Sequence, residues 1–203
     1  MLYYFAPLTN VSSILERGIL SRREVARLAI PHEDFSLPSA QIRRSNMKVA
    51  GRSLHDFVPL FMNPCSPMFE ERLRELKDRL ACCIVSLRVC ETEGLYFTDG
   101  NLAYAEFGTH VFSSLEEAKQ LPWDFIMSST GNNRVRGAEI LVPDRVPPEH
   151  ILYVLVTNPR DPRVAALLPQ PPPATTTYHS FDSAPVFQQR LSLVDLSRQI
   201  EEM

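Results

Sequence analysis

Gly51–Met68 reads GRSLHDFVPLFMNPCSPM, and the fold turns on how that run divides. Asp56 to Met62 is apolar after its first residue and has the length of a buried strand. The run opens on a flexible glycine, sets His55 and Asp56 side by side, and closes among Pro64 and Pro67. A strand with only a packing role has no need of a His-Asp pair at one end and prolines at the other. Polar residues at the mouth of a buried strand are how α/β proteins present a ligand site.

Working outward, Leu2 to Ala6 reads as a first strand, Cys82 to Val89 as a mostly buried one, and Leu95 to Thr98 as a short strand ending at Asp99-Gly100. Ala138 to Val142 and Ile151 to Thr157 follow, divided by the proline-rich turn Pro143 to Pro148. Helices are expected after Asn10, with Val11, Ile14 and Leu15 on one face and Gly18 as the stop, and from Ser21, with Val25 and Leu28 inward. A third is expected from Ser66 to about Arg79. Leu102 to Phe107 reads as a short helix, and a capping box of Ser113 and Glu116 opens another through Leu121. Residues 31–54 are polar and irregular and read as a long loop, a length that tends to be functional. The expected organisation is one α+β domain over residues 1–160, a proline-rich linker over 161–180, and an amphipathic helical tail over 181–203 carrying Leu191, Leu193, Val194 and Ile200.

A chain of 203 residues has ample length for one core. No apolar run reaches the roughly 18 residues that span a bilayer, and the N-terminus lacks a signal-peptide pattern, so a cytoplasmic protein without a membrane role is expected. Cys65, Cys82, Cys83 and Cys90 lack zinc-site spacing and read as reduced thiols, with no metal. The net charge of −3 argues against a polyanionic ligand, but the distribution is polarised. Residues 22–52 carry seven basic side chains against three acidic, and one face can therefore still attract phosphates.

Four stretches in chain order carry a resemblance to a known family. LYYFAPLTNVSSILERGILS (2–21), AQIRRSNMKV (40–49), LHDFVPLFMNPCSPM (54–68) and RGAEILVPDRVPPEHI (136–151) resemble the opening strand-helix, the QxRR segment, the LHDYVPFYFxPRSPM signature and the QAEFLV block of the DarT family. Members of that family are toxins that move ADP-ribose from NAD to bases of single-stranded DNA. The resemblance implies an ADP-ribosyltransferase-like α+β fold, a central split β-sheet with flanking helices. It implies NAD as co-substrate without metal, single-stranded DNA as acceptor, and an antitoxin of the macrodomain or another ADP-ribose hydrolase type. Transfer to RNA or protein, or non-catalytic nucleic-acid binding, are the alternatives.

Loss of nicotinamide passes through an oxocarbenium-like state, as in glycoside cleavage. One carboxylate at the ribose stabilises the cation and accepts a proton from the incoming nucleophile. Glu139, where a polar loop enters an apolar strand, is the candidate, and the resemblance makes it the catalytic Glu. Arg44 is the second catalytic candidate and either holds an NAD phosphate or helps the acceptor base lose its proton. The resemblance further implies NAD contacts from Tyr4, Leu8, Asn10, Leu20, Arg44, His55 and Phe57. His55 and Asp56 are not expected to form a dyad, since neighbours on a strand face opposite ways. Nucleic-acid contacts are expected from Arg43, Lys48 and Arg52, and from Asn132, Asn133, Arg134 and Arg136 in the loop before Glu139. Thymine-modifying members have a histidine where this chain has Tyr4, and a longer loop before the Glu. Both differences bear on whether the acceptor is thymine or guanine.

Overall fold

The computed structural model describes residues 1–76, 79–168 and 177–180. In chain order the strands are β1 (Leu2–Pro7), β2 (Ile19–Leu20), β3 (Lys48–Val49), β4 (Arg52–Ser53), β5 (Phe57–Phe61), β6 (Leu80–Val85), β7 (Tyr96–Thr98), β8 (Val111–Phe112), β9 (Glu139–Pro143), β10 (Arg145–Val146), β11 (Ile151–Val156) and β12 (Thr177–Ser180). The α-helices are α1 (Val11–Arg17), α2 (Arg22–Arg27), α3 (Pro38–Ser45), α4 (Pro67–Leu76), α5 (Leu115–Ala118), α6 (Trp123–Ile126), α7 (Asn133–Arg136) and α8 (Pro162–Ala165). Eight strands form one mixed sheet in the order β12-β11-β6-β1-β5-β9-β7-β8.

Both faces of the central strands are covered, which is why they read as unbroken apolar runs. All six residues of β6, LACCIV, are buried, and β6 pairs antiparallel with β1 from Leu2↔Val85 to Pro7↔Leu80. Cys82, Cys83 and Cys90 are buried free thiols, and burial pushes the thiols of Cys83 and Cys90 up to about 12. On one face a continuous core joins alternate residues of both halves of the sheet, among them Leu2, Val58, Leu60, Cys83, Ile140 and Val154. On the other face the apolar residues fall into two separate groups. Tyr3, Phe5, Phe61, Phe69 and Ile84 lie on the α4 side, and Val49, Leu54, Phe57, Leu102 and Leu141 form the second group.

The sheet is split between those groups. β1 and β5 are joined by one residue pair, Tyr3↔Phe61, whereas β5 and β9 pair over five, from Phe57↔Pro143 to Phe61↔Glu139. Continuing the β1–β5 register would bring Phe5 opposite Pro59, which has no N–H to give the ladder. The strands diverge there, and the gap becomes a cleft.

Several expected elements take a different form. Residues 31–54 are not one irregular loop: they contain α3, started by Pro38, and the β3–β4 hairpin. Asn10 precedes α1 but does not cap it; its amide instead exchanges hydrogen bonds with the backbone of Glu33, at 2.8 and 2.9 Å. Leu28 is 45% exposed, because α2 ends at Arg27 and turns it outward. The strand expected to run to Val89 ends at Val85 and passes into a 3-10 turn over Leu87–Glu91. Asp56 lies in a 3-10 turn, Leu54–Asp56, ahead of the strand. The cap of α5 is Ser114, which accepts from the Glu117 N–H, one residue later than expected. Gly18 ends α1 at φ +85°, and any Cβ there would stand 2.2 Å from the Val146 carbonyl oxygen. Most of the proline-rich stretch and the helical tail expected over 181–203 lie outside the described residues.

Candidate active site

The cleft opened by the split has a volume of about 1190 Å³. That exceeds the roughly 300–1,000 Å³ of ordinary small-molecule sites. β1 and β5 form its floor through Phe5, Ala6, Phe57, Pro59 and Phe61, and α3, α4 and residues 30–37 form its walls. That wall segment is pinned at its middle. Glu33 is held by Asn10, by the Thr9 hydroxyl at 2.9 Å and by an ion pair with Arg79, and Asp34 is paired with Arg22 at 2.8 Å.

Glu139 is the first residue of β9 and borders the cleft. Strand alternation puts it on the same side as Leu141, on the divided face, while Ile140 enters the continuous core. It is 1% exposed, and its neutralising partner is Arg44. Arg44 Nη1 donates to both carboxylate oxygens, at 3.1 and 2.9 Å. Arg44 comes from the last turn of α3, a helix whose one buried residue it is. Its Nη2 is buried and has no acceptor among the described residues. Residues 95 apart in the chain are thus brought into one buried contact inside one cleft.

The backbone of Glu139 is fixed by a residue that sequence reasoning did not single out. The Glu139 N–H donates to Thr98 Oγ1 at 2.8 Å, and the Thr98 hydroxyl donates back to the Glu139 carbonyl at 3.1 Å. A fully buried side chain thereby closes the β7–β9 ladder at its end. A second omission is Gln41, one turn before Arg44 on α3. Its Oε1 lies 3.0 Å from His55 Nε2, and both residues line the cleft. The His55 imidazole is held below its ordinary range, first by burial and then by the nearby guanidinium groups of Arg22 and Arg44. Asp56 turns away: it pairs with Arg23 at 2.7 Å and caps its own turn through the Ser53 N–H. The pair is not a dyad.

Of the other residues expected at NAD, Tyr4, Asn10, Leu20 and Phe57 border the cleft. Burial pushes the Tyr4 phenol up to about 12, so it is a neutral hydroxyl. Leu8 does not border the cleft; it is 1% exposed and packs in the continuous core.

The residues expected at nucleic acid separate into two sets. Asn132, Asn133 and Arg134 line the cleft, with Arg134 Nη1 bonded to Thr109 at 3.0 Å and to Asp99 at 3.3 Å. Arg43 stacks over the Tyr104 ring, and Lys48 is exposed on β3. Arg52 is occupied by Asp144 at 2.5 Å and by the Phe57 ring. Arg136 is structural. It is buried and bonds the carbonyls of Ser128 and Cys65, Asn133 and Glu70, which occupies four of its five N–H donors inside the protein. Among the described residues no group of three or more His, Cys, Asp or Glu side chains is placed to hold a metal ion. No helix among them is long and apolar enough to cross a membrane.

The chain is 32% identical over 164 residues to a Thermosipho africanus protein named a DNA ADP-ribosyl transferase–DNA ADP-ribosyl glycohydrolase fusion, covering 77% of this chain and 42% of that protein. It is 31% identical over 143 residues to a Thermus sp. DNA ADP-ribosyl transferase, covering 63% of this chain and 65% of the other. The chain therefore spans less than two thirds of the length of either curated relative. The solved structure of Thermosipho africanus DarTG in complex with ADP-ribose matches with a TM-score of 0.75 at 26% identity, over 92% of this chain and 50% of that one. Thermus sp. 2.9 DarT in complex with ADP-ribosylated ssDNA shares the fold, with a TM-score of 0.68 at 23% identity over 81% and 83% of the two chains. Residues 3–170 match the family described as ssDNA thymidine ADP-ribosyltransferase, DarT. The α+β architecture with its split sheet, the cleft at the split and that match together place this chain in the DarT family.

Proposed function

We propose that this chain transfers ADP-ribose from NAD to a nucleobase of single-stranded DNA and releases nicotinamide. The observation that carries the reading is the buried contact between Glu139 and Arg44 at the bottom of a dinucleotide-sized cleft, in a member of the DarT family. The cleft fits NAD on its own chemistry, because Arg44 Nη2 is a buried cationic donor that lacks an acceptor and a pyrophosphate oxygen supplies one.

In this mechanism the Glu139 carboxylate accepts a hydrogen bond from the ribose 2′-hydroxyl and stabilises positive charge as the bond from C1′ to the nicotinamide nitrogen breaks. Nicotinamide leaves neutral with the bonding electron pair. A ring nitrogen of the base attacks C1′, and its proton passes to Glu139. Thr98 keeps the carboxylate in place throughout. Tyr4, Asn10, Leu20, His55 and Phe57 shape the NAD-binding part of the cleft, and Asn132, Asn133 and Arg134 face the acceptor. The family description names thymidine as the acceptor, and thymine is the first base to test, with guanine second.

An ADP-ribose hydrolase is the matching partner: the Thermosipho relative, of which this chain covers 42%, is named as a fusion of transferase and glycohydrolase. A cytoplasmic setting, where NAD and DNA are both at hand, suits the activity. The test is to incubate the protein with NAD and single-stranded oligonucleotides that differ in one base and to weigh the products. A gain of one ADP-ribosyl group on wild-type incubation, lost with Glu139→Gln while NAD binding persists, is the expected result. Unmodified oligonucleotides of every composition would overturn the reading.

A further inference from the structure

Beside α3 the cleft carries an aromatic ring that the mechanism above leaves unused. Tyr104 lines the cleft and is 38% exposed. Its backbone leaves the helical region at φ −122° and ψ 29°, which kinks the turn over Leu102–Phe107 at that residue. Phe125 is more exposed, at 69%, but stands outside the cleft. A half-exposed tyrosine ring in the cleft meets water that an apolar contact would displace.

The ring is held rather than loose. The Arg43 guanidinium carbon lies 4.9 Å from the ring centroid, and Arg43 Nε is buried without an acceptor among the described residues. One face of Tyr104 is thus covered by a cation, which leaves the other face for a planar partner. Two residues earlier, Leu102 anchors the same turn in the group containing Leu141 and Phe57. Asn101 fixes the turn, accepting from the Ala103 N–H through its side chain at 2.8 Å and from the Tyr104 N–H through its carbonyl at 3.0 Å. Asn101 in turn donates its own N–H to the Arg134 carbonyl at 2.8 Å, and Gly137 is packed so closely that a Cβ there would sit 3.0 Å from Asn101 Cβ. The ring is therefore in register with the loop that delivers Glu139.

We propose that Tyr104, backed by Arg43, is a stacking platform for a base of the acceptor DNA strand. The inference rests on the proposed function. Its own support is the combination of an open aromatic face, a cation behind it, and the amides of Asn101, Asn132 and Asn133 in the same cleft. That combination suits a nucleobase, whose π-face stacks on an aromatic ring and whose edge takes amide hydrogen bonds. Arg43 then acts through the ring and not on a phosphate.

The test uses Tyr104→Leu, which keeps an apolar side chain but cannot stack, and Tyr104→Phe, which keeps the ring. Steady-state transfer to a single-stranded oligonucleotide is measured beside NAD binding by calorimetry. Tyr104→Leu is expected to raise the oligonucleotide KM on the order of tenfold, with NAD affinity and melting temperature unchanged. Tyr104→Phe is expected to restore the KM to within about threefold, since the stacking surface is conserved. An unchanged KM in Tyr104→Leu overturns the platform. So does a loss confined to NAD affinity, which would place the ring against the dinucleotide. Wild-type protein that binds NAD yet modifies no oligonucleotide overturns the proposed function itself and the platform with it, before any variant is made.

Discussion

A carboxylate as buried as Glu139 is tolerable because Arg44 Nη1 reaches both of its oxygens. Removing one member strands the other, which typically costs about 3–5 kcal/mol. Arg44→Met is therefore expected to lower unfolding stability by about 3 kcal/mol, and adding Glu139→Gln is expected to recover part of that loss in a urea-denaturation double-mutant cycle. Simple additivity of the two changes would mean that the contact contributes nothing. His55 makes a pH-dependent prediction. Its imidazole sits below its ordinary value of 6.5, chiefly through burial. Below that value the unfolded chain binds more protons on this residue than the folded one, so stability rises with pH there. The contribution is complete above 6.5 and is lost as pH falls through the lower folded value. Denaturation at pH 5 and pH 8 should therefore differ less in His55→Gln than in wild type.

At its first residue the strand β9 is tied to β7 by one hydroxyl, that of Thr98. Thr98→Val keeps the shape and deletes both bonds to Glu139. The expected cost is about 1–3 kcal/mol of stability, together with a fall in kcat that exceeds any change in the KM for NAD. Thr98→Ser should recover most of both, and a valine variant with unaltered kcat would show that the strand end holds itself. Which elements were legible in the sequence follows from what each one buries. β1, β5, β6, β9 and β11 are sandwiched between covered faces, and that shows as apolar runs. Glu139 stood out because it interrupts one of them. α3 was hidden because it buries an arginine and leaves its apolar residue, Ile42, 63% exposed, so no hydrophobic period exists to find. Pro38 at its first turn was the surviving signal. The α5 cap slipped by one residue because Ser113-Ser114 and Glu116-Glu117 offer two equivalent spacings. Thr98 left no trace at all, since its partner is 41 residues away and a buried threonine in a strand looks like any other. The resemblance points to Leu8 at NAD and the loop before Glu139 points to Arg136 at nucleic acid, whereas packing puts both in the interior.

At the scale of the whole molecule the sheet behaves as two half-sheets sharing one core face. β1, β6, β11 and β12 lie on one side of the split and β5, β9, β7 and β8 on the other. Glu139 belongs to the second half, while Tyr4 and the residues that position Glu33 belong to the first or attach to it. A dinucleotide lying in the cleft touches both halves, so binding NAD should raise the melting temperature by the amount that its affinity dictates. Backbone amides at Phe5 and Phe61 should exchange more slowly in the complex. Equal exchange with and without NAD would mean that the halves do not move against each other. The pair Tyr3↔Phe61 is the single ladder contact across the middle of the sheet among the described residues, and the shared core face carries the rest of the join. A sheet built this way is expected to be stiffened by any ligand that bridges its two halves, so limited proteolysis should run more slowly with NAD present than without it.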